Sequence, residues 1–407
     1  MITLPDELVL EVIRCATEVV GELDSNLDDT FRVPSQADME AMLKATMPTR
    51  RALVQVSRRL WNLATPALYR SIIVTHPHTL NHLFVSIMES RERALVFWHS
   101  VWRFHLSIPY DHYRCWSDVT PGTEHLMEYL PNIKIFCAMR QLHPANPLRF
   151  TPLDPATSFP HLEAVEYSGY HRIVRGSISN LLRSSPNLRV YLVADDYDSE
   201  PNPDLNAFKQ LRGCYLDALM MNSSPSHSSI LGSNLEATNQ QPLSSSQTSF
   251  PRLRSLHFSR GNYRNINCNL AHHITLLDLS FFGWMGDNLL DLSQFPTLRT
   301  LMIPSCPNWW RFKVSDKNDK LDEIGVRSGI HWPGAVVVRD LQELVGLVLG
   351  LPIVIHRLRL VEFGLCRAIM ALGIQQSAIL TQLEEQGVRL EGPNGLPLVE
   401  FLDSFPQ

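Results

Sequence analysis

The sequence predicts an α/β chain: an N-terminal helical module, then a curved, mostly parallel sheet made of repeated strand units with outer helices. Three observations carry this reading. Apolar residues recur at helical spacing over residues 8–16 and again over 53–63. A short strand pattern, opened by a turn that often holds proline, then returns many times down the chain. The returns are spaced by twenty to thirty residues, the period of stacked units that cannot bury an apolar face alone.

Pro5 suits a first helical position, where its missing N–H costs nothing. Asp6 and Glu7 favour the positive end of the helix dipole. Leu8, Val9, Val12, Ile13 and Ala16 form one apolar stripe, with Gly21 as the expected stop. An acidic insertion follows at about 21–47, where Ser35 with Asp38 three residues on is placed to cap a short extra helix. Leu53, Val56, Leu60 and Leu63 then give a second helical face, expected to end at Thr65-Pro66. Ser71–Val74 is β-branched and reads as a strand. Leu80, Leu83, Phe84, Ile87 and Met88 read as a helix with His76, His78 and His82 at its start. These histidines have no cysteine or second histidine pair nearby, so they do not make a zinc set. Helices this small bury little surface alone, and their remaining apolar side chains require a partner.

Leu4-Pro5, Leu8 and Ile13 match the opening "LP..L....I" of the F-box family. Leu53, Val56, Ser57, Arg58, Trp61, Leu63, Ala64, Pro66, Leu68 and Tyr69 match its second half, "L..V[CS]R.W..LA.P.L[WY]". The chain thus resembles the F-box family over about residues 1–75, with the departure that the insertion separates the two halves. The resemblance implies docking to the Skp-type adaptor, and through it to a cullin, of an SCF ubiquitin ligase. It implies adaptor contacts by Leu4, Pro5, Leu8, Val9, Ile13, Leu53, Val56, Trp61, Pro66 and Leu68. An insertion folded over that face would block docking.

The net charge of −5 over 407 residues argues against a nucleic-acid binder, which needs a basic surface. The apolar fraction of 44% is that of a folded protein. Seven cysteines with no Cys-x-x-Cys pair indicate neither a zinc nor a redox motif and fit buried thiols in a reducing compartment. The start lacks a basic segment and a long apolar core, so no secretory signal is expected there. The longest apolar run, Leu344 to Ile355, contains Pro352 and is too short to span a bilayer. A cytoplasmic or nuclear location is expected, without membrane or nucleic-acid partners.

The repeat is clearest at Leu130–Phe136, Phe159–Tyr167, Ser185–Val193, Phe250–Phe258 and Phe295–Ile303. Weaker copies are Leu211–Leu216, Ile274–Leu279 and Leu358–Phe363. Their central residues lie 29 apart from Phe136 to Val165, 26 to Tyr191 and 23 to Cys214, then 21 from Leu256 to Leu277 and 24 to Leu301. This spacing resembles that of leucine-rich repeats, though the asparagine that usually follows the strand is absent from most copies. The domain is expected over 76–370. It is broken by a Ser-rich loop at about 222–249, expected to be disordered, and by an insertion at about 307–338 that carries Trp309-Trp310. Residues 371–407 are expected to form a helical cap, with a helix over 375–386 and a turn-rich stretch from Glu391.

No phosphate-cradling, dinucleotide, zinc-protease or nucleophile-elbow motif is present, so neither a catalytic residue, a metal nor a cofactor is expected. Asp195, Asp196 and Asp198 form an acidic cluster that would suit a paired-carboxylate hydrolase only inside a pocket. The reading is a substrate-recognition subunit. The expected client contacts lie between the apolar strand positions, at Glu166, His257, Asp278, Met302 and Glu362, with Asp195 and Arg260 just past the strands. The alternative is a repeat scaffold that binds proteins without any link to ubiquitin.

Overall fold

The computed structural model describes residues 4–19, 21–24, 36–89, 98–107, 129–139, 158–168, 181, 183–193, 210–215, 252–257, 272–279, 290–304, 312–327, 337–361, 365–366, 374–392 and 395–403. The Ser-rich stretch 222–249, the Trp309-Trp310 pair and the Asp195 cluster lie outside them.

Helix α1 spans Asp6–Thr17, with Asp6 and Glu7 in its first turn and Arg14 in its last. It stops short of Gly21. Glu18 is already extended, and the Thr17 hydroxyl donates back to the Ile13 carbonyl at 2.8 Å. Gly21 serves instead in the turn beyond, at φ 77°.

Helix α2 spans Gln36–Val56 and α3 spans Arg58–Tyr69. This corrects the expected single helix over 53–63. The backbone of Ser57 is fully extended, and its hydroxyl accepts from the Leu60 N–H at 3.1 Å, capping a new helix. The expected stop at Thr65-Pro66 is also overturned, because Pro66 lies inside α3 on an exposed side. The short extra helix expected near Ser35 is instead the first part of α2, which continues through Pro48. Ile13, Val54, Ala64 and Leu68 form the core of the three helices, with Val9, Leu53, Leu60 and Leu63 packed around them.

Among the described residues fourteen strands follow: β1 Ser71–Val74, β2 Arg103–Ser107, β3 Ile135–Met139, β4 Ala164–Ser168, β5 Val190–Val193, β6 Gly213–Tyr215 and β7 Ser255–His257, then β8 Leu276–Asp278, β9 Leu290–Asp291, β10 Thr300–Pro304, β11 Phe312–Lys313, β12 Glu323–Arg327, β13 Arg357–Leu360 and β14 Arg389–Glu391. Twelve form one sheet whose strands stand in chain order; β9 and β11 form a second, two-stranded sheet. Every pairing in both is parallel. Helices α4 (Pro77–Glu89), α5 (Val337–Leu349), α6 (Ile374–Glu385) and α7 (Leu398–Asp403) and the 3-10 turns Leu292–Gln294 and Asp316–Asn318 are also described.

The prolines open the strands for a local reason. In Leu130–Ile133, Phe159–Leu162, Ser185–Leu188 and Phe295–Leu298 the first carbonyl accepts from the fourth N–H, and proline holds the second position. The chain then enters the sheet in a fixed register. Phe104, Phe136, Val165, Tyr191, Cys214, Leu256, Leu277, Leu301, Ile324, Leu358 and Leu390 pair in succession. Almost all of this line lies in one buried core, to which α4 adds Leu80, α5 adds Leu344, Val345 and Val348, and α6 adds Leu383.

Five strands stand where no repeat copy was named: β2, β9, β11, β12 and β14. β12 occupies part of the stretch read as an insertion, and β14 lies within the stretch read as a helical cap. The pattern Leu321-x-x-Ile324-x-Val326 was present, but no proline marks its turn. The last weak copy, whose expected centre was Val361, is instead centred on Leu358, which pairs with Ile324, and Val361 lies just past the strand.

Candidate docking surface

The first candidate surface is on α1 and α3. The Arg59 guanidinium donates to the Leu4 carbonyl at 2.5 Å and to the Asp6 carboxylate at 2.5 and 2.8 Å. At the other end Arg50 of α2 donates to the carbonyls of Thr17 and Ala67. The two helices therefore run side by side in the same direction, start beside start. Their shared side is sealed by Ile13, Ala64 and Leu68, while large apolar side chains remain outside. Leu8 is 54% exposed, Trp61 48% and Val56 68%, with Leu4, Leu10 and Val12 also exposed.

Of the residues expected to meet an adaptor, Leu4, Pro5, Leu8, Val56, Trp61 and Pro66 are exposed. Val9 and Leu53 are half-buried at the edge of the helical core. Ile13 and Leu68 are buried within it, which corrects their assignment: they hold the helices together and offer no surface. Val12 and Leu10 are exposed as well, outside the expected contact set. The four-residue step from Leu8 to Val12 on one helix is the signal that would have found Val12.

The described part of the insertion does not cover this face. Met39 and Leu43 of α2 pack with Val19 and Ile73, against β1. Glu40 faces β2: it lies 3.9 Å from His105 and takes a hydrogen bond from Ser107. Burial alone would raise the Glu40 carboxyl, but hydrogen bonds from Lys44 and Ser107 hold it below its ordinary value. His105 is buried, and burial together with the Arg103 charge pushes its imidazole down to about 4.

The expected client face is the side of the sheet opposite the apolar line. Glu166 is half-buried there. His257, Asp278 and Met302 were expected to be open to a partner, but all three are buried. The Ser255 hydroxyl lies 2.8 Å from His257 Nε2, and His257 Nδ1 lies 3.0 Å from Asp278, which also takes a hydrogen bond from Arg327 at 3.3 Å. The order of atoms is that of an acyl-transfer triad. However, Ser255 is 1% exposed, so no carbonyl can reach its oxygen, and the cluster ties β7, β8 and β12 together. Met302 packs on Val361. Asp195, Arg260 and Glu362 lie outside the described residues.

Further along this face Arg359 bridges Glu323 at 3.0 Å and Glu391 at 2.8 Å, and Arg357 meets Asp322 at 2.5 Å. Burial pushes the Glu323 carboxyl up, against the pull of Arg359 and Arg357. The polar side chains of this face described between β7 and β14 are thus engaged with one another. His76 and His78 stack, and His76 Nδ1 accepts the His78 N–H, which places both at the entry to α4. Among the described residues no group of three His, Cys, Asp or Glu side chains could hold a metal ion, and no helix is long and apolar enough to cross a membrane.

No protein-family model matches the chain, and no curated protein matches it.

Proposed function

We propose that the protein is the substrate-recognition subunit of an SCF-type ubiquitin ligase. Its α1–α3 module would bind a Skp-type adaptor, and its sheet domain would hold a client protein. The observation that carries this is the bare apolar side of α1 and α3. Leu8 and Val12 on α1, Trp61 on α3, Leu4 just before α1 and Val56 at the end of α2 stay exposed although the helices seal their shared side. Full burial of such a side chain is worth about 1.5–3 kcal/mol, and covering the roughly half that is still exposed gains about half of that. Several on one small module exceed the scattered apolar residues of an ordinary surface. The resemblance of Leu4-Pro5, Leu8 and Trp61 to the F-box pattern supports a Skp-type adaptor as the covering subunit. The chain-order parallel sheet is the arrangement that a leucine-rich-repeat solenoid requires, and supports that reading of 76–370. On this reading the protein performs no bond chemistry. It holds a client so that its lysines reach the ubiquitin-carrying enzyme.

The test is Pro5→Ala combined with Leu8→Asp. Both positions are exposed, so the double variant is expected to keep its far-ultraviolet spectrum and melting temperature and to lose co-purification of the adaptor. Undiminished adaptor binding by the folded double variant would remove the proposal.

A further inference from the structure

The helical module meets the sheet around one buried carboxylate. Glu22 follows α1, in the insertion that parts the two F-box-like halves, and it is buried. Its carboxylate accepts from Arg50 at 3.0 and 3.1 Å and from the Ser71 hydroxyl, with Arg70 at 4.0 Å. Its backbone carbonyl accepts from Arg103 of β2 at 3.0 Å. Arg50 is itself buried and donates to the carbonyls of Thr17 at 2.7 Å and Ala67 at 3.3 Å. Through these bonds one residue reaches α1, α2, α3, β1 and β2.

The chemistry of this seam differs from the rest of the core. The long core of the sheet is aliphatic and aromatic, where a small slide changes little. A buried carboxylate held by guanidinium and hydroxyl donors has one good geometry, and every displacement leaves a charge unpaired. Desolvation offsets most of what such a pair adds to stability, so its main effect is on orientation.

We propose that Glu22 is a positioning residue that sets the angle between the α1–α3 module and the sheet. The purpose of that angle rests on the function proposed above: adaptor and client would be held in a fixed relation. The existence of the angle does not depend on it.

The experiment places one nitroxide on Cys15, exposed on α1, and another on Gln382→Cys, exposed on α6, with the other native cysteines replaced by serine. Pulsed electron resonance then reads the distance distribution. Glu22 is expected to give one narrow peak, which Glu22→Gln broadens. Glu22→Asp, which keeps the charge but draws it back by one methylene, gives a peak narrower than Glu22→Gln and broader than the parent. Ser71→Ala, which removes one hydrogen bond to the same carboxylate, gives an intermediate width. Peaks as narrow as the parent's in both Glu22→Gln and Ser71→Ala would overturn the inference. So would loss of amide protection in β7–β13 on Glu22→Gln, since the carboxylate would then support the whole fold. Adaptor co-purification is measured on the same proteins. If the parent fails to bind, the proposed function falls while the distance result still decides the role of Glu22.

Discussion

His105 shows how one buried side chain sets a pH response. Among the described residues neither ring nitrogen has a hydrogen-bond partner, and the Glu40 carboxylate is 3.9 Å away. In the unfolded chain its pKa is near 6.5, and in the folded protein it is about 4. Above pH 6.5 the ring is neutral in both states. Below it the unfolded chain takes up the proton first, so stability falls until the folded state also protonates near 4. That gap corresponds to roughly 3 kcal/mol. Glu40, held low, adds acid sensitivity only under its ordinary 4.5, whereas Glu323, pushed up by burial, works in the opposite direction. The melting temperature is therefore expected to drop from pH 7 to pH 5, and His105→Phe to flatten that slope. An unchanged slope in the variant would show that another group controls it.

At the scale of elements, Ser57 decides where one helix becomes two. Its extended backbone ends α2 and its hydroxyl begins α3, folding α3 back along α2 so that Arg50 reaches the Ala67 carbonyl. Ser57→Ala is expected to cost about 1 kcal/mol, read as a lower urea midpoint at unchanged slope. A neutral substitution would mean that packing alone sets the break. The strand entries follow similar local rules. Asn132 donates to the His99 carbonyl at 2.7 Å and Asn187 to the Pro160 carbonyl at 2.6 Å, so each turn is tied to the one before it.

In the molecule as a whole, each strand of the main sheet pairs only with its neighbours in chain order, and no described pairing joins distant strands. Such a stack is held by nearest-neighbour contacts and loosens from its ends. Leu390→Ala removes a buried side chain from the last strand, at a cost of about 2–5 kcal/mol. Hydrogen exchange is expected to rise in β13 and β14 while β2–β4 keep their protection. A uniform rise would instead show one all-or-none unit.

Much of the architecture was legible in the chain. The apolar centres read from the repeats at 136, 165, 191, 256, 277 and 301 are those that pair in register, because alternation and proline turns act locally. The exposure of Leu4, Leu8 and Trp61 agrees with the surface expected for them from the sequence. Burial was not legible. His257, Asp278 and Met302 sit between apolar strand positions, where sequence periodicity alone says surface, yet neighbouring strands supply the partners that let them be buried. Glu22 read as part of an acidic insertion, because Arg50 and Arg103 lie 28 and 81 residues away. Sequence alone determined which faces are apolar and where the strands turn, since those depend on near neighbours. Only the tertiary structure decided which charges meet in the interior, since that depends on residues far apart in the chain.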